Sequence, residues 1–318
     1  MKRVLIIRPG ALGDALLAFP VLQAFKQQAS PEKILLTLVS HPAVLELAQA
    51  WDIAERTDDY SATRWSELFS ADGIRSPALA EELAQTDLAI CWLHDSEGLV
   101  EHNLRAAGCQ KVIVAPGRPT DARRQPMHIV DYLGRTLDLK VDRVLPFKFT
   151  SGLTPLQQAR REVMIDTQQK MVAIHPGSGG ARKCWPIERF ARVIQELQQR
   201  HIPILLLSGP ADEERIERLR DLLGQTKQGL AYVRILKNVP LRNILHEFLN
   251  CCCYLGNDAG MTHLAALFGL PTIVLFGPSD PDTWQPVGDQ VSVIHEPQLE
   301  LLGLDTVMQV LCEHFPKG

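Results

Sequence analysis

The chain has 318 residues, 46% of them hydrophobic and 22% charged, with a formal net charge of −4. That length is long for one domain and the composition is that of a globular protein with a sizeable core, so two α/β domains are expected. The charge balance argues against general nucleic-acid binding, which needs a basic surface, and no apolar stretch approaches the roughly 20 residues of a membrane span.

In the first half, strand runs at Arg3–Ile7, Ile34–Val39, Leu88–Trp92 and Lys111–Val114 alternate with helical periods over Leu12–Gln28, Ala43–Ala50, Pro77–Gln85 and Met127–Leu137. Such alternation predicts a parallel sheet with helices on both faces. The first strand runs into Arg8-Pro9-Gly10-Ala11-Leu12-Gly13-Asp14, which reads as strand, glycine turn, helix. A helix N-terminus leaves backbone N–H groups free and carries partial positive charge, so it suits an anion. This turn is not G-x-G-x-x-G, and the second strand ends Val39-Ser40-His41-Pro42 without the carboxylate that a nicotinamide ribose requires, which argues against a dehydrogenase. Asp14 has two readings: a first-turn or capping carboxylate, or a general base held on a rigid turn. Asp52–Arg75 reads as a polar, irregular loop, and His94–Asn103 and Arg118–Arg124 as further loops suited to binding.

The pattern lapses around Pro146–Pro155, the expected linker, followed by a short helix at Gln157–Val163. Domains are therefore expected over residues 1–150 and 151–318. Beyond the linker, strands are predicted at Met171–His175, Ile202–Leu207, Tyr232–Leu236, Cys252–Leu255, Thr272–Phe276 and Val291–Ile294. Helices are predicted at Ile187–Arg200, Asp212–Leu223, Leu241–Leu249 and Met261–Phe268, and the helical period over Gln298–His314 places a last helix to pack back on the N-terminal domain.

Two turns in this half carry chemistry. Ile174-His175-Pro176-Gly177-Ser178-Gly179-Gly180-Ala181-Arg182-Lys183-Cys184-Trp185-Pro186 combines glycines for close approach, the Ser178 hydroxyl as donor, and Lys183 as a flexible point charge for a diphosphate. A plain βα turn needs no such combination. Gly256-Asn257-Asp258-Ala259-Gly260-Met261-Thr262-His263 is a second strand–turn–helix junction. Asp258 is placed to cap that helix, Gly260 permits close approach, and Thr262 with the backbone N–H groups can bind phosphate oxygens. His263 is either a ligand contact or a packed core histidine. Asp212 and Glu213 read as partners of a helix dipole. The seven cysteines lack C-x-x-C spacing and read as reduced thiols rather than metal ligands. Lys183 is placed to lower the pKa of Cys184, which is otherwise incidental.

In order and spacing, Arg8-x-x-Ala11-Leu12-Gly13-Asp14, His175-Pro176-Gly177-Ser178-Gly179, Lys183-x-Trp185-Pro186, Gly256-Asn257-Asp258-Ala259-Gly260-x-x-His263-Leu264-Ala265 and Phe276-Gly277-Pro278 resemble glycosyltransferase family 9, the heptosyltransferase family of lipopolysaccharide assembly. The resemblance spans nearly the whole chain. It implies a GT-B architecture, two Rossmann-like doubly wound domains facing across a cleft, with acceptor bound by the N-terminal domain and nucleotide-sugar donor, typically ADP-heptose, by the C-terminal one. Transfer in that family inverts the anomeric centre and uses neither metal nor cofactor. The family's aspartate base falls on Asp14, its diphosphate lysine on Lys183, and its phosphate motif on Asp258, Ala259, Gly260, Met261, Thr262 and His263. Ser178 and Gly179 join the donor site, while Arg8 and Gly13 are placed to meet the acceptor. The implied partners are a nucleotide sugar and a glycan or glycolipid, and the implied location is cytoplasmic, with peripheral contact at the inner membrane. A nucleotide-sugar epimerase or hydrolase, and a silent nucleotide- or glycan-binding protein, are the competing readings on the same fold.

Overall fold

The chain, described here from a computed structural model over residues 1–119, 126–143 and 171–314, separates into two units, Met1–Arg143 and Val144–Gly318. The expected linker and the helix at Gln157–Val163 lie outside the described residues.

The first unit holds strands β1 (Lys2–Ile7), β2 (Ile34–Ser40), β3 (Arg56–Asp59), β4 (Leu88–Trp92) and β5 (Lys111–Ala115) in one parallel sheet of order β3-β2-β1-β4-β5. Its helices are α1 (Leu12–Leu16), α2 (Phe19–Ala29), α3 (Pro42–Ala50), α4 (Pro77–Ala84), α5 (Leu99–Ala106) and α6 (Ile129–Arg135). The central strands β1 and β4 are aliphatic on consecutive residues rather than alternate ones, because helices cover both faces. Three local expectations change. The helix predicted over Leu12–Gln28 breaks into α1 and α2, since Pro20 has no N–H to offer the preceding turn. The segment read as an irregular loop contains β3, a polar edge strand recruited by backbone pairing with β2, and a 3-10 turn at Thr63–Phe69 that buries Trp65 and Leu68. Within the predicted loop His94–Asn103, helix α5 starts at Leu99, and the buried Asn103 amide donates to the carbonyls of Leu68 and Ser70.

The second unit holds β6 (Met171–His175), β7 (Ile204–Ser208), β8 (Val233–Lys237), β9 (Cys251–Asn257), β10 (Thr272–Phe276) and β11 (Val291–His295), all parallel, in the order β11-β10-β9-β6-β7-β8. Helices α7 (Ile187–Gln199), α8 (Glu213–Gly224), α9 (Leu241–Phe248), α10 (Gly260–Phe268), α11 (Pro281–Trp284) and α12 (Leu304–Cys312) follow the strands. The last of these buries Val307, Met308 and Leu311 in the same core as Phe190, Val193 and Leu197.

Both sheets are doubly wound. The chain builds outward from β1 through β2 to β3, then returns to place β4 and β5 on the other side, and β6 to β11 repeat this. The pairs β1/β4 and β6/β9 are therefore switch points, where successive loops leave in opposite directions and open a crevice at the carboxyl ends of the strands. All seven cysteines are free, five of them buried, and burial raises the thiols of Cys91, Cys109 and Cys251, that of Cys109 to about 11.

Candidate active site

At the first switch point, Arg8 follows β1 directly. Its backbone carbonyl accepts from the Ser40 hydroxyl at 2.7 Å, tying it to the end of β2. Gly10 has φ +127°, open to glycine without strain, and swings the chain into α1. The N-cap is Ala11, with no side-chain cap, so Asp14 is a first-turn carboxylate that caps nothing. Arg8 is only 3% exposed. Its guanidinium donates to the backbone carbonyl of Asp14 at 3.1 and 3.3 Å and to that of Gly117 at 2.8 Å, and lies 3.7 Å from the Asp14 carboxylate. Burial pushes the Arg8 guanidinium below its ordinary value, and the Asp14 charge opposes that shift. A β-carbon on Gly117 would fall 2.4 Å from Arg8 Nη1, so glycine is required there for close approach. Arg8, placed in the sequence to meet an acceptor, packs its guanidinium against the turn that carries Asp14, whose own side chain is 36% exposed. Gly13 lies within α1, its carbonyl accepting from the Leu17 N–H.

At the second switch point, the glycine loop after β6 meets the turn after β9. Ser178 donates its hydroxyl to the Asp258 carbonyl at 2.6 Å, and Lys183 Nζ lies 2.7 Å from Asp258 Oδ2. Lys183 is half-exposed while Asp258 is buried. The expected Asp258 cap does not form: Ala259 is the N-cap of α10 and its helix start has no side-chain acceptor. The carboxylate holds the lysine instead. The N–H groups of Thr262 and His263 are taken by the Ala259 carbonyl, at 3.0 and 3.3 Å. Those of Gly260 and Met261 stand at the helix end, where no intrahelical acceptor exists. The Thr262 hydroxyl is fully buried, donating to the Asn257 carbonyl and pairing with the Tyr254 hydroxyl at 3.0 Å, so its side chain supports the turn from within. His263 is 4% exposed, with Nε2 4.0 Å from Asp258 Oδ1.

Three residues outside the predicted set shape this loop. Asn257 donates its amide to the carbonyls of Pro176 and Gly177 and accepts from the Trp185 N–H. Arg215 donates to the carbonyls of Pro176 and Trp185. Asp212 is no mere dipole partner: its carboxylate is 2.9 Å from His175 Nε2 and accepts from the Gly209 N–H at 2.7 Å. Burial raises the Asp212 carboxyl, but His175, Gly209 and Arg215 together leave it below its ordinary value. Asp212 also explains Gly177, where a β-carbon would fall 1.8 Å from Oδ1. Because two partners fix that carboxylate, Gly177→Ala is expected to destabilise the protein by about 1–3 kcal/mol. Urea unfolding checks it, and an unchanged midpoint would mean the carboxylate can step aside. The Cys184 thiol is raised by burial, against the lowering expected from Lys183.

A sequence profile of glycosyltransferase family 9 (heptosyltransferase) matches residues 79–302. Lipooligosaccharide heptosyltransferase 2 of Campylobacter jejuni is 22% identical over 284 residues, covering 87% of this chain and 82% of that one. Lipopolysaccharide heptosyltransferase 1 of Escherichia coli is 25% identical over 321 residues, covering 96% and 97%. The solved structure of E. coli ADP-heptose LPS heptosyltransferase II superposes with a TM-score of 0.74 at 17% identity, over 99% of this chain and 98% of that one. The shared fold is GT-B, built on two Rossmann-like domains.

Proposed function

The chain belongs to glycosyltransferase family 9, the heptosyltransferase family, and we propose that it transfers a heptose from ADP-heptose to a lipopolysaccharide core or related surface-glycan acceptor. The observation that carries this reading is the Lys183–Asp258 pair beside the open N-terminus of α10. A half-exposed cation and backbone N–H groups there suit a diphosphate. The matched E. coli structure is of an enzyme named for ADP-heptose.

In the proposed reaction an acceptor hydroxyl attacks the anomeric carbon as the bond to the diphosphate oxygen breaks, inverting that centre. Its proton passes to the Asp14 carboxylate late in the step, because a hydroxyl is far less acidic than a carboxylic acid. Negative charge grows on the departing ADP and meets Lys183 and the Gly260 and Met261 N–H groups, a fixed positive field in the role a metal fills in other transferases. Arg8 acts through Asp14, holding the turn that carries it. Among the described residues, no helix is long and apolar enough to cross a membrane. A lipid-borne acceptor would be met by peripheral contact at the inner face of the membrane, in keeping with a cytoplasmic enzyme.

Calorimetric titration with ADP, UDP and GDP tests the donor. ADP is expected to bind at least about tenfold more tightly than the others, a difference on the scale of one or two base-reading hydrogen bonds. Preference for UDP or GDP would reject ADP-heptose as donor.

A further inference from the structure

Two side chains from different elements each bridge both ends of the loop between β6 and α7. Asn257, at the end of β9, holds Pro176 and Gly177 at one end and Trp185 at the other. Arg215, in the first turn of α8, does the same with one guanidinium: Nε donates to the Pro176 carbonyl at 3.2 Å and Nη2 to the Trp185 carbonyl at 2.8 Å. The segment between these ends carries Ser178 and Lys183. Asn257 lies beside the phosphate turn, but Arg215 sits on a separate helix and reaches the loop from the β7 side of the sheet.

We propose that Arg215 is a positioning residue of the donor site, which sets the location of Lys183 by fixing the separation of the loop's two ends. The inference rests on reading this loop as the donor's diphosphate site. A guanidinium is suited to the task because its N–H groups point in fixed, different directions, whereas an ammonium is a single point. Free movement of either end would let Lys183 swing away from Asp258 and from the α10 terminus. An arginine that merely stabilised α8 would have no such link to Lys183.

The test compares the parent with Arg215→Lys, Lys183→Ala and the double variant, reading ADP affinity by calorimetry and amide hydrogen exchange peptide by peptide. Arg215→Lys is expected to weaken ADP about tenfold, the scale of one charge-assisted hydrogen bond. In the Lys183→Ala background the same change should have little further effect, because the route through the lysine is gone. Exchange at residues 178–184 should quicken while that of α8 stays at the parent rate. Equal loss of affinity in both backgrounds, or faster exchange throughout the second unit, would reduce Arg215 to a structural role and overturn the proposal. So would parent-like affinity and exchange in Arg215→Lys. If the parent itself failed to bind ADP, the donor-site reading would fall. The exchange comparison would then decide separately whether Arg215 holds the loop.

Discussion

Replacing Asp14 by Asn is expected to lower kcat by roughly a hundred- to ten-thousand-fold, the range of a lost general base, while ADP affinity stays at the parent value. The substitution is nearly isosteric, and two of the contacts that shape the turn survive it. Arg8 donates to the backbone carbonyl of residue 14 at 3.1 and 3.3 Å, and that carbonyl is untouched. What is lost, on the proposed mechanism, is the capacity to accept a proton from the acceptor. Asp14→Glu separates chemistry from placement: it restores a carboxylate but displaces it by one methylene, and misplacement of about 1 Å can itself cost about a hundredfold. Steady-state turnover with ADP calorimetry on the same preparations reads both effects. Near-parental turnover in Asp14→Asn would remove Asp14 as the base, and an equal fall in ADP affinity would make its role structural.

Lys183→Ala is expected to weaken ADP by about a hundredfold and to slow turnover as well. Part of that loss is the attraction removed, and part is the carboxylate left behind. Asp258 is 7% exposed and its Oδ2 meets Lys183 Nζ at 2.7 Å. Without the lysine, a buried negative charge would face the diphosphate of the proposed donor, and a charge stripped of its partner accounts for much of the cost of breaking such a pair. Lys183 is half-exposed, so solvent screens the interaction and the lower end of the usual range applies. Adding Asp258→Asn to Lys183→Ala should therefore recover about tenfold in ADP affinity. A double variant no better than the single one would show that Asp258 does not face the diphosphate.

The doubly wound sheets were legible in the sequence because their central strands are short, nearly unbroken apolar runs, and those of β1, β6 and β9 lead into glycine-bearing turns. The strand predicted at Met171–His175 and that at Thr272–Phe276 have the same bounds in the structure. Elements whose residues do not advertise their state were missed. β3 is Arg-Thr-Asp-Asp, a strand because β2 offers it hydrogen bonds rather than through any propensity of its own. Glycines and charges at strand ends marked the candidate site, but the supports of those charges could not be read in the same way. Gly177 looks like a flexible loop glycine until Asp212 is seen beneath it. Arg215, three residues after Asp212, has the spacing of any exposed helix residue, and its partners are distant carbonyls that leave no trace in side-chain pattern. Thr262 erred the other way, since a hydroxyl beside a phosphate turn suggests a ligand contact but its bonds run inward.

The strand order also bears on how the protein is made. During synthesis β1 emerges before its neighbours and can pair soon with β2, through Lys2 and Ile34, but its other neighbour pairs through Val4 and Leu88 and is translated much later. The second unit repeats the delay, with β6 waiting at Ile174 for Leu255 of β9. Each central strand therefore spends a long interval with one apolar edge unpaired while the ribosome is still extending the chain. Pairings so distant along the chain are slow to close, and exposed edges in that interval invite aggregation. Slower elongation between β8 and β9 should consequently lower the soluble yield of the chain more than the same slowing after β11 does.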